Sequence, residues 1–229
     1  MKIAGIQKLS LIDYPGKVAS VIFTQGCVFR CAYCHNPELI PVTSPLLMRE
    51  EDVMEILDRQ KKIVDGICIT GGEPTLQHDL PEFIQRVRAL GYSIKLDTNG
   101  VHPSMLAVMF AERLIDYVAM DLKHTWGGYA RVTSSASDAA VKNCQRSFKL
   151  IQKSGIPHEF RTTLLPGEHQ YNTLEQMCGY LSDGETYVVQ QFRAGHTLDP
   201  TLRPDDAQQA SVFAAQLQER FPSLHISAR

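Results

Sequence analysis

Three cysteines fall within eight residues, in the run Cys27-Val28-Phe29-Arg30-Cys31-Ala32-Tyr33-Cys34. Three thiolates on one short loop can converge on one metal centre, and few folds tolerate such a loop without one. A cubane iron–sulfur cluster held by three cysteines would leave one iron without a protein ligand. That iron could bind a small molecule, by the logic of the open position in a catalytic zinc site. A structural zinc with His35 as fourth ligand is the rival, but such sites usually draw two ligand pairs from separated segments. Plain core packing is the other rival. It fits poorly with Arg30 and Tyr33 interleaved among the cysteines.

The remaining cysteines read differently. Cys68 lies in an apolar run, and Cys144 and Cys178 lie on apolar stripes of helical spacing, so all three are expected in the core. Six cysteines in 229 residues are too few and too uneven for a disulfide scaffold. The formal charge of −2 gives no footprint for nucleic acid or an anionic membrane. No apolar run reaches the ~20 residues of a membrane span. The first dozen residues lack the charged-then-apolar pattern of a secretory signal, so a cytoplasmic location is expected. With 44% hydrophobic and 21% charged residues, the chain has the composition of a folded domain. A single domain over residues 1–229, with the cysteine loop at 25–37, is the expected organisation.

Short apolar runs recur at residues 18–23, 66–69, 93–96, 115–120, 159–164 and 186–191, as expected of strands buried on both faces. Between them lie stripes of helical period. Phe83, Ile84, Val87 and Leu90 form one, with Asp79 as an expected N-cap and Glu82 as its capping-box partner. Val141, Cys144, Phe148 and Ile151 form another. Leu174, Met177, Cys178 and Leu181 form a third. Ala207, Ala210, Phe213, Ala214 and Leu217 follow Pro204, which suits a first helical turn. About six β/α units with right-handed crossovers predict a partial or complete barrel of the (β/α)6 type, with a doubly wound open sheet as the rival.

The chemically unusual residues follow these strands. They are Gln25-Gly26-Cys27, Gly71-Gly72-Glu73-Pro74, Asp97-Thr98-Asn99-Gly100, Asp121-Leu122-Lys123, Thr163 to Gly167, and Gln191-Phe192-Arg193. In a parallel β/α fold, strand C-terminal ends share one rim, so these segments are candidates for a single site.

The run from Gly26 to Pro37, with Cys27, Arg30, Cys31, Tyr33, Cys34, His35 and Asn36, resembles the signature of radical S-adenosylmethionine (SAM) enzymes that activate glycyl-radical enzymes. Within that group it most resembles the activating proteins of anaerobic ribonucleoside-triphosphate reductase, with the pyruvate formate-lyase activases as near relatives. The opening from Ile6 to Gly16 is similar to the same group, and the resemblance runs from about Ile3 to Arg193. Ile40 departs from the pattern, since several activases carry a tryptophan after Asn-Pro.

The resemblance implies a [4Fe-4S] cluster on Cys27, Cys31 and Cys34, with SAM on its open iron. One electron would cleave SAM to methionine and a 5′-deoxyadenosyl radical. Tyr33 is then expected near the adenine, with a packing aromatic in the loop as the lesser reading. The segment Gly71, Gly72, Glu73 and Pro74 would hold the amino group, because glycine lets backbone approach a ligand without a Cβ, with Glu73 orienting the glycines or contacting the ligand. Asp97, Thr98, Asp121 and the Ala119 carbonyl would hold a monovalent cation near the SAM carboxylate. Lys123 would reach that carboxylate or the ribose; its bland alternative is a rim salt bridge. Asn99 suits a ribose contact or a turn. Arg161 and Arg193 would lie near the SAM carboxylate, or pair with rim carboxylates. The 124–137 segment, with the sole tryptophan, could meet a protein partner or pack as a surface loop.

The function implied is removal of hydrogen from a glycine of a partner glycyl-radical enzyme, anaerobic ribonucleotide reductase first among them, with reduced flavodoxin or ferredoxin as electron donor. The alternative is a radical SAM enzyme acting on a small molecule or peptide. A non-enzymatic iron–sulfur or zinc carrier is disfavoured by the SAM-type motifs at the other strand ends.

Overall fold

The structure is a computed structural model that describes every residue except Leu46 and Gln208. Among the described residues, eight strands form one sheet in the order of the sequence. They are β1 (Ile3–Ser10), β2 (Ala19–Thr24), β3 (Gly66–Gly71), β4 (Ser93–Thr98), β5 (Tyr117–Asp121), β6 (His158–Thr163), β7 (Thr186–Gln190) and β8 (His225–Ala228). The α-helices are α1 (Glu50–Gln60), α2 (Leu80–Ala89), α3 (Pro103–Ala111), α4 (Tyr129–Thr133), α5 (Asp138–Lys153), α6 (Tyr171–Cys178) and α7 (Ala210–Arg220).

β1 and β2 pair antiparallel, and each later neighbour pair is parallel. The sheet ends at β1 and β8 without joining them, so the barrel is partial. The turn before β2 carries Pro15 and then Gly16 at φ +73°, with the Lys17 N–H donating to the Tyr14 carbonyl at 3.1 Å. A positive φ after proline is what a type II turn demands, and glycine supplies it without strain.

The six apolar runs become β2 to β7, and their aliphatic residues are buried on both faces. Helices cover the outer face. In α5, Ser137 caps the first turn by accepting from the Ala140 N–H at 3.2 Å, and Cys144, Phe148 and Ile151 enter the core. Fully burying each such apolar side chain contributes about 1.5–3 kcal/mol.

Four local expectations change. β1 and β8 flank the six runs and carry too little alternation to announce themselves. Asp79 precedes α2 but its side chain makes no cap hydrogen bond; it pairs instead with the Met1 amino group. α7 begins at Ala210, so Pro204 lies in the preceding loop and not in a first turn. The 124–137 segment is mostly built structure: a 3-10 turn (Trp126–Gly128) runs into α4. Trp126 stacks between Tyr129 and Tyr180, each at 5.4 Å, and meets Phe148 edge-on.

Candidate active site

The strand ends converge on one cavity of about 210 Å³. Its walls include Cys27, Cys31, Tyr33, Cys34, Gly71, Gly72, Glu73, Asp97, Thr98, Asn99, Asp121, Lys123 and Arg161. Phe29, His35, Asn36, Thr70 and Thr163 complete the walls. Pro74 is not among them; it is buried at the start of a 3-10 turn (Pro74–Leu76). Arg193 is also elsewhere. It is exposed, on a second cavity with Ile12, Asp13, Lys95 and Arg229 that shares Arg161 with the first.

The cysteine loop is pinned from three sides. The Gly26 and Cys27 N–H groups donate to the Leu39 and Ile40 carbonyls at 2.7 and 3.0 Å. The Arg30 N–H donates to the Thr133 carbonyl at 2.9 Å, joining the loop to the end of α4. The Leu198 and Asp199 N–H groups donate to the Cys34 and Ala32 carbonyls at 3.0 and 2.9 Å. His35 is exposed at the edge of the cavity, where its ring stacks on Phe192 at 6.2 Å.

Among the described residues, no three His, Cys, Asp or Glu side chains stand close enough to grip one metal ion. The cysteines therefore share a wall without converging on a point, which differs from the simple expectation of a single metal centre. A cubane takes one thiolate per iron, so its ligands stand at separate corners. An all-thiolate donor set suits an iron–sulfur cluster or zinc, and three sulfurs that do not converge on one point fit the separate corners of a cluster. Burial pushes the Cys27 thiol up to about 12, with Glu73 adding to the shift, and burial also raises Cys31 and Cys34. Binding a metal there must displace protons.

Gly71 and Gly72 line the cavity and also answer a steric demand inside the protein. A Cβ on Gly71 would strike the Thr24 backbone, and one on Gly72 would strike the Gly26 carbonyl. Gly71 also has φ +110°. The two glycines let the end of β3 press against the cysteine loop, where the Glu73 N–H donates to the Gly26 carbonyl at 2.7 Å.

Glu73 is fully buried and bound on both oxygens. Oε1 accepts from the Thr75 N–H at 3.1 Å, the Thr75 hydroxyl at 2.5 Å and the Thr98 hydroxyl at 2.7 Å. Oε2 accepts from the Asn99 N–H at 2.6 Å. Burial still raises its pKa, although those hydrogen bonds oppose it. Glu73 thus fastens β3 to β4. Thr98 is spent in the same knot, also accepting from the Gly100 N–H at 3.0 Å. The Asn99 side-chain oxygen accepts from the Val101 N–H at 3.0 Å, making a turn, and its Nδ2 lies 3.8 Å from the Cys27 sulfur. Cys144 is buried as expected and donates its S–H to the Asn99 carbonyl at 3.3 Å.

Charge inside the barrel is balanced by side chains. Arg161 Nη1 donates to Asp97 Oδ2 at 3.1 Å, while its Nη2 and Nε donate to Asp121 Oδ1 at 3.0 and 3.2 Å. Lys95 also pairs with Asp97, and Lys123 Nζ lies 3.2 Å from Asp121 Oδ2. Burial alone would raise both carboxyls. Arg161 and Lys95 outweigh it at Asp97, and Lys123 and Arg161 at Asp121, so both are held below the usual range. The Arg161 guanidinium stands between the two aspartates expected to hold a monovalent cation, and Lys123 and Arg161 both make the rim pairs weighed beside their SAM contacts. Ala119 sits within β5, in register with Asp97 and Glu159. Lys123 Nζ also stands 5.7 Å from the centre of the Tyr33 ring.

Two members of this network escaped sequence reading. Lys95 is 2% exposed and Glu159 is 1% exposed, and the latter takes a two-pronged contact from Arg229 at 2.9 and 2.8 Å. The available signal was spacing: Lys95 and Asp97, like Glu159 and Arg161, are two apart on a strand and share its inward face.

A parallel partial barrel with a three-cysteine loop at its rim defines a class of enzyme, and sequence comparison states which. Residues 21–178 match the radical SAM superfamily, and the chain belongs to it. A protein of Methanocaldococcus jannaschii, provisionally named a glycyl-radical enzyme activating enzyme, is 34% identical over 204 residues, covering 88% of this chain and 84% of that one. The pyruvate formate-lyase-activating enzyme of Clostridium pasteurianum is 28% identical over 174 residues, covering 72% of this chain and 69% of its own. The fold also matches Streptococcus suis SuiB bound to S-adenosylmethionine, with a TM-score of 0.68 at 14% identity. That match covers 91% of this chain, which spans about half of SuiB (49%). Methylornithine synthase matches with a TM-score of 0.65 at 17% identity, over 90% of this chain and 63% of the synthase. The chain is thus a radical SAM enzyme related to the glycyl-radical-enzyme activating enzymes. No helix among the described residues is long and apolar enough to cross a membrane.

Proposed function

We propose that the whole 229-residue chain is one radical SAM domain that cleaves SAM reductively and passes the radical to a polypeptide. The observation that carries this is the shared cavity: Cys27, Cys31 and Cys34 on one wall, the Gly71-Gly72 turn beside them, and the Asp97, Asp121 and Lys123 charges across from them. When bound, a [4Fe-4S] cluster supplies one electron to SAM, giving methionine and a 5′-deoxyadenosyl radical.

The chain's own residues bind and orient. The three cysteines hold the cluster, and the Asn99 amide beside Cys27 offers a donor to its sulfur. Backbone groups at Gly71 and Gly72 receive the SAM amino group. The Lys123 ammonium, with the outer edge of Arg161, receives the carboxylate or ribose hydroxyls. Tyr33 takes a place along the adenine. Arg161 fills the position of a cation between Asp97 and Asp121. Neither Pro74 nor Arg193 touches SAM in this scheme, since neither lines the cavity.

The activase relatives support a protein substrate whose glycine loses a hydrogen atom, with anaerobic ribonucleotide reductase the first partner to test and reduced flavodoxin or ferredoxin the electron donor. The wider reading is a radical SAM enzyme acting on a peptide or small molecule. The comparisons taken together support it more fully, because the solved structures of like fold include SuiB bound to its precursor peptide SuiA.

Protein reconstituted without oxygen should hold about four irons and as many sulfides per chain, and Cys31→Ser should lose them. Dithionite with SAM should release 5′-deoxyadenosine. A doublet radical signal on an added glycyl-radical enzyme supports the activase. SAM cleavage with no such signal, but with hydrogen transfer from an added peptide or small molecule, supports the wider reading. Zinc without sulfide would overturn both.

A further inference from the structure

Asp121 and Lys123 end β5, and the chain beyond them is held by two side chains that play no part in the scheme above. Tyr129 and His169 are both fully buried. The Lys123 N–H donates to the Tyr129 hydroxyl oxygen at 3.2 Å, and that hydroxyl donates to the Asp121 carbonyl at 3.4 Å. One phenol therefore ties the backbone on either side of Leu122. On the opposite side of Lys123, its carbonyl faces His169 Nε2 at 2.9 Å. His169 Nδ1 accepts from the Leu165 N–H at 2.7 Å. A ring nitrogen that accepts carries no proton, so the proton sits on Nε2 and donates to Lys123. Burial, above all, lowers the His169 pKa to about 4, which keeps this neutral tautomer in place near neutrality. His124 packs on the His169 ring at 5.2 Å and closes the pocket around it.

We propose that His169 and Tyr129 are positioning residues that fix the Lys123 backbone from both sides, and so aim its ammonium at the SAM pocket. The inference rests on the assignment of Lys123 to a SAM contact. A four-carbon side chain has many rotamers, and anchoring its peptide at N–H and carbonyl restricts where its head can go. The Asp121 contact at 3.2 Å and the Tyr33 ring then complete the restriction at the far end.

The test is a double-mutant cycle read by equilibrium SAM binding to cluster-reconstituted protein, without reductant, by calorimetry. Thermal melting is recorded alongside. His169→Leu removes both imidazole contacts. Tyr129→Phe removes only the hydroxyl and serves if His169→Leu does not fold. Lys123→Met removes the ammonium. In the parent background, His169→Leu or Tyr129→Phe should raise the SAM dissociation constant roughly tenfold. In the Lys123→Met background, each should change it by less than about twofold, because the group being aimed is gone. His169→Gln, whose amide can both accept from Leu165 and donate to Lys123, should restore most of the affinity. Equal losses in both backgrounds would show a structural role and overturn the proposal. So would Lys123→Met weakening SAM while His169→Leu and Tyr129→Phe leave it unchanged. Lys123→Met without any effect would overturn the SAM contact itself, and the positioning role with it.

Discussion

The backbone N–H of Asn99 donates to Glu73 Oε2 across 2.6 Å, linking the ends of two adjacent strands inside the site. The glutamate has four donors, and the Asn99 side chain is left to face Cys27. A Gln in its place keeps the volume but presents an NH2 group where an acceptor is needed. Glu73→Gln should cost about 1–3 kcal/mol of stability, as expected for buried donors left unmatched. A urea midpoint unchanged from the parent would show that the knot does not hold the strands.

The glycine pair yields a steric prediction with an internal control. Gly72→Ala places a methyl against the Gly26 carbonyl, next to the Leu39 carbonyl at 3.0 Å. Backbone cannot swing aside as a flexible side chain can, so the loop must shift. The loss should reach about 1–3 kcal/mol or more, and iron uptake should fall with it. Gly127→Ala meets nothing within 4 Å and has no positive φ, so it should melt near the parent temperature.

A pH dependence should arise at the far end of the barrel. His158 Nδ1 faces the Ile156 carbonyl at 2.8 Å and Nε2 faces Glu185 Oε1 at 3.3 Å, so both nitrogens have acceptors. Burial would lower the His158 pKa, but the Glu185 contact outweighs it and the value is raised. Glu185 is held below its usual range: burial opposes this, while His158, the Ser182 N–H and Gln152 produce it. A raised histidine stabilises fully below its unfolded pKa of about 6.5 and loses that contribution as pH rises through the folded value. A lowered glutamate stabilises above its unfolded pKa of about 4.3 and loses that as pH falls through the folded value. The pair should therefore be most effective between those limits, and weaken on the alkaline side first. Melting temperature against pH should show this slope in the parent and lose it in Glu185→Gln.

The rim was readable because its residues interrupt otherwise apolar strands. Thirteen of the fifteen expected site residues line one cavity, from Cys27 to Arg161. Pro74 lies outside it because proline there starts a turn and is buried. Arg193 lies outside it because strand position alone says nothing about where a chain goes after the strand. Roles were less legible than places. Glu73 reads in sequence as orienting the glycines or contacting a ligand, and four donors two to twenty-six residues away bind its two oxygens. β1 and β8 stayed hidden because edge strands are half-exposed and their pattern is set by neighbours. His169 carries no motif at all, and only the return of the chain toward Lys123 brings its Nε2 to that carbonyl.

Arg161 gives the sharpest energetic test. Its guanidinium lies between Asp97 and Asp121, and its side chain is 12% exposed, as is that of Asp97. Removing it with Arg161→Met leaves two carboxylates facing each other with Lys95 and Lys123 as their remaining partners. Breaking a buried pair from one side costs about 3–5 kcal/mol; Asp121 is about one-third exposed, so the lower end is expected here. Arg161→Lys should recover little, because one ammonium cannot fork to both aspartates. Arg161→Met with Asp97→Asn should be more stable than Arg161→Met alone, since it removes the like-charge repulsion. Denaturant midpoints of the four proteins decide this. If the double variant were no more stable than the single, Arg161 would be holding the strands by packing and not by bridging their charges.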